Sequence, residues 1–275
     1  MPKIQINNAN KHYATGGSSV DALTDINLDI CANEFVTIVG ASGCGKSTLL
    51  RSIGGLDDLS SGEIRVDAQL ITGPGANRAM VFQNYSLYPW LTVRENIQFS
   101  QGLKSNRESN RDFTHSTAAL ERVDGLIDLT GLRLVEHAYP NQLSGGMQQR
   151  VAIARALMNK PDILLMDEPF GALDVQTREV MHDLIRHIFS QEKPTIVFVT
   201  HDVEEAIYLG ERVVLMAPRP GLIDSLYPVP LPAEREQDMK LTPEFNALKK
   251  TILSRIRATS GIETNRAMLK KLTHH

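Results

Sequence analysis

The sequence is poor in the features that mark secreted, membrane-spanning or disulfide-stabilised proteins. It has two cysteines and one tryptophan in 275 residues, and aromatic residues make up only 5%. The cysteines, Cys31 and Cys44, lack the spacing of a metal site and suit a reducing compartment. No apolar run approaches the roughly 20 residues of a membrane helix, and no apolar signal-peptide core is present at the N-terminus. We therefore expect a cytoplasmic protein that reaches a membrane only through a partner.

The overall composition is that of an ordinary globular protein. Hydrophobic residues make up 42% and charged residues 22%, and the formal net charge is −3. That charge gives no basic footprint for nucleic acid, so we expect no nucleic-acid partner. The length suits one large domain or two modest ones, with a substantial core.

The most informative stretch is a glycine-rich loop between a predicted strand and a predicted helix. The apolar run 35–39 predicts a buried strand, and residues 48–53 suit a helix. Between them, residues 40–47 fit the phosphate-binding pattern G-x4-G-K-S. Loop amides and the helix N-terminus would hold phosphates, Lys46 would reach the β- and γ-phosphates, and Ser47 would ligate Mg²⁺. The nucleotide-binding residues predicted here are Gly40, Ala41, Ser42, Gly43, Cys44, Gly45, Lys46, Ser47 and Thr48.

Two acidic residues close a second apolar run. Residues 163–166 predict a buried strand, and Asp167 and Glu168 stand at its carboxyl end. Asp167 is placed to hold Mg²⁺, directly or through a water molecule. Glu168 is placed to polarise an attacking water molecule. Acids that close such a strand are seldom mere solvated turn residues.

Polar residues also follow two other predicted strands. Gln83 ends the run that starts at Arg78, where it could ligate Mg²⁺ or orient water, or simply cap a turn. His201 follows the apolar strand 195–200 and could hydrogen-bond the γ-phosphate, although a lone histidine is more often structural. Asp202 and Glu205 resemble a capping box, which predicts that a helix begins just after His201.

A second phosphate-compatible element lies further along the chain. The Ser144 hydroxyl and the amides of Gly145 and Gly146 stand at the start of a predicted helix that runs to Met158 and is stopped by Pro161. This arrangement places hydrogen-bond donors at a helix N-terminus, which favours anions.

The remaining segments predict an α/β fold with additions. The first thirty residues alternate like half-buried antiparallel strands, and Tyr13 among them could stack on an adenine ring or be an ordinary core or surface tyrosine. Residues 94–134 predict an inserted helical lobe with a polar loop at 104–112, and 212–216 predict a last strand. The tail pattern at 245–256 predicts an amphipathic helix packed on the core, with a regulatory or membrane-surface contact as the alternative.

In their order and spacing, these motifs resemble the nucleotide-binding subunit of an ATP-binding cassette transporter. The resemblance implies ATP and Mg²⁺ as cofactors and a head-to-tail pair, either a homodimer or a pair with a paralogous cassette. Ser144, Gly145 and Gly146 of one chain would cover the γ-phosphate held by Lys46 of the other. Asp174 belongs to the same resemblance, as a residue of the loop that follows the acidic pair.

The resemblance also gives a fold class and domain boundaries. It implies a P-loop NTPase core with a mixed or parallel sheet, an antiparallel β layer and an inserted helical lobe. The expected divisions are 1–93 and 160–218 for the ATP-binding core, 94–159 for the helical lobe that carries the family's signature motif at residues 143–149, and 219–275 for a mostly helical C-terminal extension.

Within that family, the aromatic loop 84–92 and the turns 73–75 and 218–221 look like the nitrate, bicarbonate, sulfonate and taurine importer branch. Tyr88 departs from the branch, which usually has an apolar residue there, and so do Leu222 and Ile223, where a basic residue is commoner. The resemblance implies a place on the cytoplasmic face of the inner membrane and an external solute-binding protein in the same system. It also implies permease subunits docked near Tyr85, Tyr88 and Trp90.

Three other readings stay open from the sequence. An exporter cassette is one, and a soluble repair or translation ATPase is another. The repair type would need a long coiled-coil insertion, and the translation type carries two cassettes. A non-catalytic regulatory module is the third, although Lys46, Asp167, Glu168 and His201 are all present.

Overall fold

The computed structural model describes residues 1–15, 18–102, 117–218 and 220–260. Its central sheet has the strands β3 (Phe35–Gly40), β6 (Arg78–Val81), β7 (Ile163–Asp167), β8 (Thr195–Val199), β9 (Arg212–Ala217) and β10 (Leu222–Pro228). They lie in the order β10-β9-β3-β8-β7-β6, and all pairs are parallel except β10 with β9. Strands β3, β7 and β8 are buried along their whole length, as expected of parallel strands covered on both faces.

A second sheet covers one side of this core. It contains β1 (Pro2–Thr15), β2 (Ser18–Cys31), β4 (Ser61–Val66) and β5 (Gln69–Leu70). The order is β2-β1-β4-β5 and every pair is antiparallel. Its buried residues, such as Ile6 and Ile26, join one apolar cluster with Ile38 of the central sheet. The predicted antiparallel layer is therefore confirmed.

Seven α-helices are described, besides short 3-10 turns. They are α1 (Lys46–Gly54), α2 (Val93–Gln98), α3 (Thr117–Leu129), α4 (Gly145–Leu157), α5 (Val175–Glu192), α6 (Val203–Leu209) and α7 (Pro243–Ser260). Helices α3 and α4 fall within the segment 94–159 that is predicted as a helical lobe, and α2 begins one residue before it. The limits of the lobe stay a prediction. The predicted polar loop 104–112 lies outside the described residues. Within the described ranges, no helix combines the length and apolarity that crossing a bilayer requires.

The prediction that 212–216 forms the last strand is wrong. Strand β10 follows it and pairs antiparallel with β9, so the C-terminal extension begins with a strand and not a helix. The register of this pair shifts between Ile223 and Ser225, which interrupts the alternation that would reveal a strand in the sequence. The pairing covers the edge of β9, which would otherwise expose unpaired backbone groups.

The tail helix α7 packs on the core, as its apolar pattern predicted. Phe245 and Ile252 are fully buried in the main hydrophobic cluster. Two ion pairs fasten the outer side of the helix, from Lys249 to Glu204 of α6 and from Arg255 to Asp224 of β10. The extension is thereby joined to both the central sheet and α6.

Candidate nucleotide site

The glycine-rich loop connects β3 to α1 in a conformation that requires glycine. Gly45 caps the helix with φ 87°, in the left-handed region, and a Cβ there would lie 2.5 Å from the Ala22 carbonyl oxygen. Lys46 Nζ folds over the loop and donates to the carbonyl oxygens of Gly40 at 2.9 Å and Ala41 at 3.2 Å. The lysine side chain is therefore held where a phosphate approaching the loop amides would meet it.

A hydroxyl and a carboxylate meet beside this loop. Ser47 Oγ donates to Asp167 Oδ1 at 2.9 Å, which joins the start of α1 to the end of β7. Burial raises the pKa of the Asp167 carboxyl, and the neighbouring Glu168 adds to the rise, while the hydrogen bond from Ser47 opposes it. A buried carboxylate is a favourable place for a cation, because buried charges are normally paired or bound to metal.

Side chains from three strand ends meet at the Glu168 carboxylate, one oxygen of which is contacted by the other two. Glu168 Oε2 lies 3.1 Å from His201 Nδ1 and accepts a hydrogen bond from Gln83 Nε2 at 3.4 Å. Glu168 itself has φ 45°, which is uncommon for a residue other than glycine. Its amide donates to the Val199 carbonyl oxygen of β8 at 2.9 Å, which fixes this conformation. The neighbouring strands thus bring together residues that lie far apart in sequence.

The second predicted phosphate element lies elsewhere in the chain. Ser144 caps α4 by accepting from the Met147 amide at 3.3 Å. A Cβ on Gly145 would lie 2.8 Å from the Tyr85 hydroxyl oxygen. Among the described residues, no hydrogen bond joins Ser144, Gly145 or Gly146 to the glycine-rich loop.

Asp174 caps a helix in this structure. It accepts from the Thr177 amide at 3.0 Å at the start of α5, and hydrogen bonds from Thr177 lower the pKa of the Asp174 carboxyl. The Asp174 side chain is exposed to solvent.

Tyr13 makes polar contacts that sequence reasoning did not anticipate. Its hydroxyl donates to Asp57 Oδ2 at 3.0 Å, and Arg51 Nε donates to the same oxygen at 3.0 Å. Lys11 Nζ lies 4.9 Å from the centre of the Tyr13 ring. Arg51 of α1 and Asp57 of the following turn thus orient the Tyr13 ring. An adenine stacked on this ring would lie near the Lys11 ammonium group.

Arg155 is a residue of this region that sequence reasoning missed. It lies on α4, donates to the Ser86 carbonyl oxygen at 3.0 Å and stands 5.4 Å from the centre of the Tyr88 ring. Burial lowers the pKa of its guanidinium. Its only sequence signal is a charge within the otherwise apolar run that ends α4. Arg155 connects the signature helix to the aromatic loop.

The aromatic loop combines a supported ring with an exposed one. Tyr88 packs on Phe99, with ring centres 4.1 Å apart, and lies 5.6 Å from Trp90. Trp90 is 68% exposed. A large apolar ring held in solvent on a supported loop is typical of a contact surface.

The family model described as ABC transporter matches residues 23–171, which span the glycine-rich loop, the signature and the acidic pair. The chain belongs to the ABC transporter family. The nitrate import ATP-binding protein NrtD of Synechocystis sp. is 46% identical over 95% of this chain and 97% of its own. The aliphatic sulfonates import ATP-binding protein SsuB of Bacillus subtilis is 40% identical over 94% of this chain and 96% of its own.

A solved structure agrees with the fold of this ABC transporter subunit. The ATP-binding cassette MJ0796, a dimer in a post-hydrolysis state bound to ADP and phosphate, matches with a TM-score of 0.70 and 34% identity. The match covers 82% of this chain and 98% of that one. The predicted family and fold class are confirmed. The chain is an ATP-binding subunit and an ATPase coupled to transport.

Proposed function

We propose that this ABC transporter subunit hydrolyses ATP at the interface of a head-to-tail dimer and drives import of a small oxyanion through separate membrane subunits. The observation that carries the proposal is the single Glu168 oxygen shared by His201 and Gln83, beside the loop that holds Lys46. The candidate solutes are nitrate, bicarbonate, sulfonates and taurine. The similarity to nitrate and sulfonate import proteins over nearly the whole chain supports this class.

The glycine-rich loop would bind the phosphates of ATP. Its amides and the N-terminus of α1 present donors and partial positive charge to an anion. Lys46 Nζ, which donates to two loop carbonyls, would exchange these bonds for charge-assisted bonds to the β- and γ-phosphates. Tyr13 would stack on the adenine base, because its hydroxyl bonds Asp57 in the turn that follows α1.

Glu168 would accept a proton from the attacking water molecule. A carboxylate only accepts hydrogen bonds, so His201 must carry its proton on Nδ1 when it contacts Glu168. Because His201 and Gln83 both contact Oε2, the other oxygen can face the water molecule. His201 and Gln83 would hold the carboxylate in that orientation, and His201 would also approach the γ-phosphate. This is general-base assistance to phosphoryl transfer.

The donors beside the loop fit Mg²⁺. This ion prefers oxygen ligands and binds through one or two carboxylates together with phosphate oxygens and water. Ser47 Oγ and Asp167 Oδ1 are already 2.9 Å apart, and the Gln83 amide oxygen is a third candidate ligand. The part of the chain that is described has no cluster of three His, Cys, Asp or Glu side chains that could hold a metal. Bound Mg²⁺ would neutralise charge on the phosphates, while these residues would position it.

The dimer proposal follows from the separation of the two phosphate elements. Within one chain, Ser144 caps α4 and has no hydrogen bond to the described part of the glycine-rich loop. A two-fold axis lets each chain supply its signature to the other's nucleotide, which forms two equal sites. The partner's Ser144 would then meet the γ-phosphate that Lys46 holds, with Asp174 close to the same interface. The dimeric MJ0796 structure with ADP and phosphate supports this arrangement. An identical chain or a paralogue could serve as the partner.

The proposed substrate class can be tested with the assembled transporter. The chain would be co-purified with its permease subunits and reconstituted with them and the solute-binding protein in vesicles. In the cell, the chain is expected to lie on the cytoplasmic face of the membrane. ATP hydrolysis would then be measured with nitrate, bicarbonate, alkylsulfonates and taurine, and with a sugar and an amino acid as controls. We expect one oxyanion to stimulate hydrolysis. Stimulation by the sugar or the amino acid alone would contradict the substrate class and leave the ATPase assignment intact.

The aromatic loop with Tyr85, Tyr88 and Trp90 is the proposed permease contact. Replacing Trp90 with alanine removes an exposed ring of the kind that anchors interfaces, where the loss is often about 2 kcal/mol, or about 30-fold in affinity. We expect Trp90→Ala to weaken assembly and lower the stimulation of ATPase activity by solute, measured in vesicles. Leu241→Ala is the control, because Leu241 is an exposed apolar residue in the C-terminal extension. Unchanged coupled transport in the Trp90 and Tyr88 variants would contradict the proposed contact.

A further inference from the structure

A buried polar pair joins the two helices that flank the catalytic acid. His182 of α5 is 2% exposed, Glu205 of α6 is 5% exposed, and His182 Nε2 lies 2.9 Å from Glu205 Oε1. Glu205 is the residue predicted to complete a capping box with Asp202. Asp202 does accept from the amides of Glu204 and Glu205, but the Glu205 carboxylate bonds His182. The structure thus corrects the predicted box and gives this carboxylate another function.

Elements that adjoin the site meet at His182. Phe170, two residues after Glu168, packs edge-on against the His182 ring with centres 5.1 Å apart. Glu205 lies in the first turn of α6, four residues after His201. The helix that carries His182 begins at Val175 and is capped by Asp174. The His182 ring therefore contacts Phe170, close to the catalytic acid Glu168, and also Glu205 of α6, the helix that begins just after His201.

The contacts of α6 differ between its two ends. At the C-terminal end, Arg235 donates to the carbonyl oxygens of Ile207 and Tyr208, at 2.7 and 2.8 Å. Arg186 donates to the carbonyl oxygen of Leu209 at 3.0 Å. Near the other end, the His182–Glu205 bond is the buried side-chain tie from α6 to α5. Glu204, at the same end, is paired with Lys249 and Lys240 but is partly exposed, so loss of the buried bond would leave the end next to His201 the less constrained one.

The chemistry of the pair favours a positioning role over simple packing. The Glu205 carboxylate only accepts, so His182 donates from Nε2, and His182 Nδ1 has no hydrogen-bond partner among the described residues. Phe170 and Tyr208 flank the ring, so an apolar side chain could fill this space. A directional bond between two buried polar groups defines one relative placement of the helices, which apolar packing does less sharply.

We propose that His182 is a positioning residue that holds His201 against Glu168 by fixing Glu205 and the start of α6. This rests on the proposed roles of His201 and Glu168 in ATP hydrolysis. The His201–Glu168 contact of 3.1 Å joins a side chain at the start of this helix to the catalytic acid. Misplacement of a catalytic group by about 1 Å can cost on the order of a hundredfold in rate. His182 would therefore affect turnover without touching nucleotide.

The first experiment compares His182→Phe with His182→Gln. Phenylalanine keeps the ring and loses the bond, while glutamine can still donate to Glu205. We expect His182→Phe to lower the kcat of ATP hydrolysis about tenfold or more, with unchanged affinity for a fluorescent ATP analogue, and His182→Gln to stay near wild type. His187→Phe is the matched control, since His187 is exposed on the same helix.

A second variant is needed because His182→Phe leaves the buried Glu205 carboxylate unpaired and could prevent folding. The double variant His182→Phe, Glu205→Leu removes both polar partners, which is often nearly neutral for stability. Melting temperatures would identify the folded proteins. We expect the double variant to melt near the wild-type temperature and to show the same loss of kcat. Wild-type kcat in the folded double variant would overturn the inference.

A double-mutant cycle with His201→Ala separates positioning from a general structural effect. If His182 acts through His201, adding His182→Phe to His201→Ala changes the residual single-turnover rate no further. An equal additional loss in that background would overturn the inference, because His182 would then act by another route. A wild-type rate in His201→Ala itself would instead overturn the proposed role of His201. The two failures are therefore distinguishable.

Discussion

Glu168→Gln is expected to lower ATP turnover at least about a hundredfold, the lower end of what a general base contributes, while ATP still binds. Glutamine keeps the shape of the side chain but cannot take a proton from water. The loop proposed to hold the phosphates, including Lys46, is unchanged by the substitution. Steady-state phosphate release and equilibrium binding of ATP would separate these two effects.

The same variant tests the dimer. Because ATP would be bound and not cleaved, its contacts with both chains would persist and keep the dimer together. We expect Glu168→Gln with ATP and Mg²⁺ to elute as a dimer in size-exclusion chromatography, and as a monomer without nucleotide. Glu121→Gln, at an exposed glutamate of α3, is the control. Normal turnover in Glu168→Gln, or an ATP-loaded chain that stays monomeric, would contradict the proposal.

Lys46→Ala is expected to weaken ATP binding about a hundredfold and to lower turnover as well. The substitution removes an ammonium that would make charge-assisted bonds to two phosphates, each about 1.5–3 kcal/mol. Because the lysine gives up its bonds to the Gly40 and Ala41 carbonyl oxygens, the net loss is smaller than the sum of both bonds, and about 2.7 kcal/mol corresponds to that factor in affinity. Lys46 is only 7% exposed, so its charge is poorly screened by solvent. Calorimetric titration with ATP would measure the change.

The control for the lysine variant is Lys250→Ala, at an exposed lysine on α7. Thermal unfolding without nucleotide would show whether the loop still folds, since Lys46 also donates to the carbonyl oxygens of Gly40 and Ala41. A Lys46→Ala protein that binds ATP as tightly as wild type would contradict the assigned phosphate contact. Unchanged binding after Lys250→Ala would confirm that the effect is specific to the loop.

The parts of this protein that the sequence predicted are those encoded over short distances. The strand, loop and helix around residues 35–54 follow from an apolar run, glycine spacing and helix-compatible residues that are contiguous in the chain. The acidic pair was predictable from its place at the carboxyl end of the buried strand β7. Such patterns depend on residues that are close in the chain. The resemblance to the ABC transporter family rests on the same patterns, and the similarity to known members confirms it.

Other features were decided only by tertiary structure. The sequence could place Gln83, Glu168 and His201 at strand ends, but the strand order determines that they share one oxygen. Nothing local marked the pairing of β10 with β9 or the bond between His182 and Glu205. Each of these contacts joins residues that meet only when the sheet and helices pack. A pattern read along the chain shows which side chains each segment presents, whereas the fold determines which of them come together.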